Sequence, residues 1–60
     1  MFAVIRQNQD NTVTRLRTCS TVEAVMIASQ LEKDKVSLAE RHRIRAVAMD
    51  DGGYTEIMML

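Results

Sequence analysis

The apolar positions change their period along the chain, and the changes mark out its elements. Residues 2–7, Phe-Ala-Val-Ile-Arg-Gln, are an apolar run closing in polar residues and read as a strand. Asn8, Gln9, Asp10 and Asn11 form a cluster of turn formers. Residues 12–18 are rich in β-branched side chains and read as the return strand of a hairpin. A loop of about two or four residues gives one register, with Val4 opposite Arg15 and Ala3 opposite Leu16.

The period then lengthens. Ser20, Thr21, Val22 and Glu23 form a capping-box pattern in which the Ser20 hydroxyl accepts from the Glu23 amide. A helix over residues 21–33 follows. Ala24, Ile27, Ala28 and Leu31 recur at helical spacing and are expected to form its core stripe. Val22, Val25 and Met26 fall on the other side, a surplus apolar strip.

Ser37, Leu38, Ala39 and Glu40 repeat the capping-box pattern, so a short helical turn is expected there. A continuous helix on to Met49 is the competing reading. A strand over residues 43–49 is preferred, because Asp50-Asp51-Gly52-Gly53 follows it. Asp-Gly between two apolar runs is a strong hairpin signal. A turn centred on Asp51 and Gly52 pairs Met49 with Tyr54, Val47 with Glu56 and Arg45 with Met58. On the other face it pairs Ala48 with Thr55, Ala46 with Ile57 and Ile44 with Met59.

These elements make a single small α+β domain over residues 1–60. Its order is ββαββ, with one helix packed on one face of a four-stranded, mainly antiparallel sheet. Strand order is left open; one arrangement sets the two terminal strands side by side. Ala3, Ile5, Leu16, Ile44, Ala46, Ala48, Ile57 and Met59 are expected on the inner face. The outer face would carry Phe2, Val4, Val13, Val47, Met49, Tyr54, Met58 and Leu60, mixed with arginines and Glu56.

The triplets Arg15-Leu16-Arg17 and Arg43-Ile44-Arg45 give that outer face its chemistry. Alternate residues of a strand share a face, so each triplet sends two guanidiniums one way and an aliphatic anchor the other. The chain has eight basic and eight acidic residues and no net charge. Neutrality argues against a general nucleic-acid binder, which carries a basic excess. Arginine suits planar carboxylate or phosphate partners.

Size matters as well. A 60-residue chain buries only about 60% of its unfolded surface. Cys19 is its only cysteine, so no internal disulfide forms. Self-association is the expected remedy, in the form of a homodimer. One thiol and no visible leader suggest a cytoplasmic setting. No apolar run approaches the ~20 residues of a membrane span.

Catalytic signals are sparse. His42 stands between Arg41 and Arg43, and Cys19 sits at the expected helix start. An enzyme would have to use this pair as base and nucleophile, and both are more simply read as structural or solvated. Asp50 and Asp51 read as turn residues, and no phosphate-loop, zinc or dinucleotide spacing occurs. No cofactor or metal is expected. The leading expectation is a small non-enzymatic accessory or regulatory protein that binds another protein. Arg15, Arg17, Arg43 and Arg45 would select acidic or phosphate groups, and Val47, Met49, Tyr54 and Met58 would supply apolar area. A nucleic-acid-binding regulator is the alternative.

Overall fold

The computed structural model describes residues 1–57. The expectations placed on Met58, Met59 and Leu60 lie outside the described residues. The elements follow the order strand, strand, helix, strand, strand: β1 (Phe2–Gln7), β2 (Val13–Cys19), α1 (Val22–Lys33), β3 (Ile44–Asp50) and β4 (Gly53–Glu56). A short 3₁₀ helix, Leu38–Arg43, leads into β3. The competing helix through residue 49 therefore does not form. The four strands make one sheet in the order β2-β1-β3-β4, and every neighbouring pair is antiparallel. The centre holds β1 and β3, not the two terminal strands.

The C-terminal hairpin has the expected register. Val47 pairs with Glu56, Ala48 with Thr55 and Met49 with Tyr54, and the Ile57 amide donates to the Ala46 carbonyl at 3.1 Å. The Asp50 carboxylate accepts from the Gly52 amide at 2.9 Å. The left-handed backbone falls on Gly53, at φ 115°, where only glycine sits without strain.

The N-terminal hairpin departs from the expected register. Its turn is closed by Asn8 and Thr12, with the Asn8 amide donating to the Thr12 carbonyl at 2.8 Å. Asn11 takes φ 70°, a left-handed conformation that asparagine tolerates. An odd loop is stabilised this way, and it shifts pairing by one residue from the even-loop expectation. Ile5 pairs with Arg15, not Leu16 with Ala3. A β-bulge then shifts the register by one further residue in the same direction, so that Val4 pairs with Arg17 and Ala3 with Thr18. Leu16 is the extra residue, and it is exposed on the edge strand, outside the core.

The two faces of β1 are also inverted relative to expectation. Phe2 and Val4 share the helix-covered face with Ile44 and Ala46, while Ala3 and Ile5 face away. Residues 2–5 are apolar on both sides, so alternation carries no information about which side meets the helix.

Helix α1 starts one residue later than the capping box suggests. Thr21 is the N-cap, and its hydroxyl accepts from the Ala24 amide at 3.1 Å. The buried stripe is Val25, Ala28 and Ser29, with Met26 packed beside it. Ile27 and Leu31, the expected core positions, are 62% and 51% exposed. Both apolar strips include or border Ala28, so period alone does not choose between them. The small side chains Ala28 and Ser29 let the helix lie close to Val4 and Ala46. Glu32 then reaches Arg17 on the helix-facing side of β2 at 3.9 Å and Lys35 at 3.2 Å. No helix among the described residues is long and apolar enough to cross a membrane.

Candidate contact face

The sheet face away from α1 is where the sequence placed its binding residues. Its floor is Ala3, Ile5 and Val47, all buried, with Met49 packed against them. Among the described residues no second layer covers this side, and side chains from the strands, Arg15 and Tyr54 among them, reach over it. Arg15 lies on edge strand β2 and Tyr54 on edge strand β4, with β1 and β3 between them. Neighbouring strands lie ~4.8 Å apart, so the two edges are roughly 14 Å from each other. Neither side chain spans that gap alone. Together they do: Arg15 Nη2 and Nε donate to Tyr54 Oη at 2.9 and 3.1 Å. The Arg15 Cζ is 5.8 Å from the Tyr54 ring centroid, in cation–π range.

The bulge at Leu16 decides which arginines share this face with Tyr54. Without it, Arg15 and Arg17 would share a face, as alternation demands. With the extra residue, Arg15 joins Ile5 and Ala3 on the open face while Arg17 joins Val4 beneath the helix. Bulges re-aim side chains in this way.

Arg45 and Glu56 complete the face, on β3 and β4, and form an ion pair at 3.6 Å. Arg45 Nε also donates to the His42 carbonyl at 3.4 Å. The pair is about half exposed on both sides, so it is worth at most ~1 kcal/mol. Of the residues singled out from the sequence, Arg15, Arg45, Val47, Met49 and Tyr54 come together here. Arg17 is on the opposite face, paired with Glu32. Arg43 ends the 3₁₀ helix and does not enter a strand. Met58 lies outside the described residues.

Cys19 and His42 are not brought together. Cys19 is half-buried against the helix-side core, at the level of Phe2. His42 precedes Ile44, which pairs with Arg6 at the other end of β1. Those two levels are roughly 13 Å apart along the strand.

Two concavities among the described residues bear on the site. One, of about 280 Å³, is lined by Lys33, His42, Ile44, Arg45, Ala46, Glu56 and Ile57. The other, of about 150 Å³, is lined by Arg6, Gln7, Asn8, Gln9, Glu40 and Arg43. In the smaller one Arg6 Nη2 donates to Glu40 Oε2 at 3.2 Å. Arg6 and Glu40 are separated by 34 positions in sequence, and no spacing rule links them; only the pairing of β1 with β3 does. At the nearby turn Asp10 Oδ1 accepts from the Thr12 hydroxyl at 2.6 Å and the Thr12 amide at 3.1 Å. These hydrogen bonds hold its carboxyl below the ordinary aspartate value.

Comparison with known proteins finds no matching family model, no similar curated protein and no matching solved structure.

Proposed function

We propose that this chain is a small non-enzymatic accessory or regulatory protein that presents its open sheet face to another protein and works as a cytoplasmic homodimer. The observation that carries the reading is the Arg15–Tyr54 pair lying across the open face. Arginine, tyrosine and methionine are the types enriched where proteins meet. Here they are already held in place, so little side-chain entropy is lost when a partner docks. Arg45 and Glu56 would then act as a mixed-charge rim.

A nucleic-acid reading gains less from the same geometry. Arg17 and Arg43 lie off the face, and Glu56 faces Arg45. The arginines do not line a track along which a phosphate backbone would run.

The homodimer is supported by the uncovered helix strip. Ala24, Ile27 and Leu31 are exposed at helical spacing on the side away from the sheet. The helix-side core is made of small and medium side chains, Val4, Val25, Ala28, Ile44 and Ala46, and a second copy would add apolar burial to it.

The test is retention from nuclease-treated cell extract on the immobilised protein. Wild type should hold a defined protein, and folded Tyr54→Ala and Arg15→Ala/Arg45→Ala variants should lose it, while a Leu38→Ser control keeps it. Equal retention by the face variants contradicts the proposal. So does binding to DNA or RNA whose log affinity falls linearly with log salt.

A further inference from the structure

We infer that the concavity between the N-terminal turn and the 3₁₀ helix is a second site, for a phosphate group, built on Arg6 and Arg43. This site is independent of the sheet face. Alternation puts Arg43 beside Arg45 on that face; the 3₁₀ helix instead carries it to the end of β1, where Arg6 points. Both arginines are half-buried and line one hollow of about 150 Å³. At ~30 Å³ per water this space holds about five waters, enough for one tetrahedral oxyanion.

The charges are arranged unequally. Arg6 already gives one Nη2 hydrogen bond to Glu40. That contact orients the Arg6 fork, whose other N–H groups donate no hydrogen bond to a side chain among the described residues. Arg43 forms no ion pair among the described residues. A guanidinium offers its N–H groups in a planar fork that matches a phosphate edge. Gln7 and Gln9 line the same hollow and carry amide donors. Asn8 is less available, since its side-chain nitrogen donates to Thr12 and Thr14, both at 3.0 Å. Glu40 is the one carboxylate among the described residues that line the hollow, and it competes with an incoming anion for Arg6. Two cations against one anion leave a net positive site that favours a doubly charged phosphate over chloride.

The experiment is a titration of the ¹⁵N-labelled full chain, at constant ionic strength, with inorganic phosphate, with a phosphoserine peptide and with chloride. Saturable shifts are expected at residues 6–9 and 40–43 with the two phosphates and not with chloride. Arg43→Gln should weaken phosphate roughly tenfold, the loss of one charge-assisted contact. Glu40→Gln should tighten it by about threefold, because a competitor for Arg6 is removed. A merely structural role for Glu40 gives no tightening. A tighter phosphopeptide than inorganic phosphate identifies a protein-borne group; equal affinities identify the free anion. Shifts that stay linear to roughly 50 mM, or an Arg43→Gln variant that binds as well as wild type, overturn the site.

Discussion

Arg15 and Tyr54 stand on opposite edges of the sheet and meet above its centre, with Arg15 Nη2 2.9 Å from Tyr54 Oη. This contact lies across the face whose apolar floor is Ala3, Ile5 and Val47. It is also what makes the open face a fixed arrangement rather than loose arginines over hydrocarbon. The hydroxyl is the acceptor for both Arg15 bonds, so Tyr54→Phe removes them while keeping the ring. The expected loss is about 0.5–1.5 kcal/mol, toward the low end because both residues are exposed. Urea denaturation measures it. A double-mutant cycle with Arg15→Ala should show positive coupling; independent effects would mean the two side chains do not interact.

The orientation of α1 gives the sharpest stability contrast. Val25 is fully buried and Ile27 is 62% exposed. Val25→Ala should cost about 1–3 kcal/mol. Ile27→Ala should cost under about 1 kcal/mol. The reverse order in denaturation midpoints would mean that the helix packs with its other strip inward. If the exposed strip joins two copies, Ile27→Asp should convert a species of twice the chain mass to a monomer in sedimentation.

Much of this structure can be read from the chain, and what escapes has identifiable causes. The C-terminal hairpin is legible because Asp51 and Gly52 fix its turn, and Ala46, Ala48 and Ile57 share one side. The helix span is legible to within one residue at its start from the Ser20–Glu23 capping pattern and the charged exit, although the cap is Thr21; its buried face is not, because Val25 and Ile27 both lie on apolar strips. The first hairpin escapes for two reasons. Asn11 supports an odd loop, and Leu16 bulges, and neither leaves a mark in alternation. That one extra residue separates Arg15 from Arg17, and the 3₁₀ helix keeps Arg43 out of β3; together they halve the arginine cluster the sequence suggests. Arg6, Glu40 and Arg43 come together only through the β1–β3 pairing.

Ser29 is 1% exposed and its hydroxyl has no hydrogen-bond partner among the described residues. A buried polar group left unpaired is unfavourable. Ser29→Ala should therefore be neutral or stabilising, by up to about 1 kcal/mol. A clear loss of stability in thermal unfolding would show that the hydroxyl is engaged.

Gly53 holds φ 115°, and a Cβ placed there would meet nothing within 4 Å. Space is therefore not the constraint; backbone conformation is. Gly53→Ala should destabilise by about 1 kcal/mol or more. An unchanged denaturation midpoint would mean that the turn adopts another conformation.

Asp10 provides the pH dependence of the first turn. The Thr12 hydroxyl and amide hold its carboxyl below the ordinary value of 3.8. The folded value is thus depressed relative to the unfolded one. The contribution is present above the unfolded value and is lost as pH falls through the folded one. The stability gap between wild type and Asp10→Asn should be wider at about pH 7 than at about pH 2. An equal gap at both would leave no role for the ionised carboxylate.

The open face carries Arg15 without Arg17 because the Leu16 bulge turns the two to opposite sides of the sheet, and side-chain NOEs read this directly. The arrangement requires contacts from the Arg15 side chain to the Tyr54 ring and from the Arg17 side chain to Glu32 of α1. If both arginines instead report to the same side of the sheet, the bulge at Leu16 is absent and the division of the arginines between the two faces is contradicted.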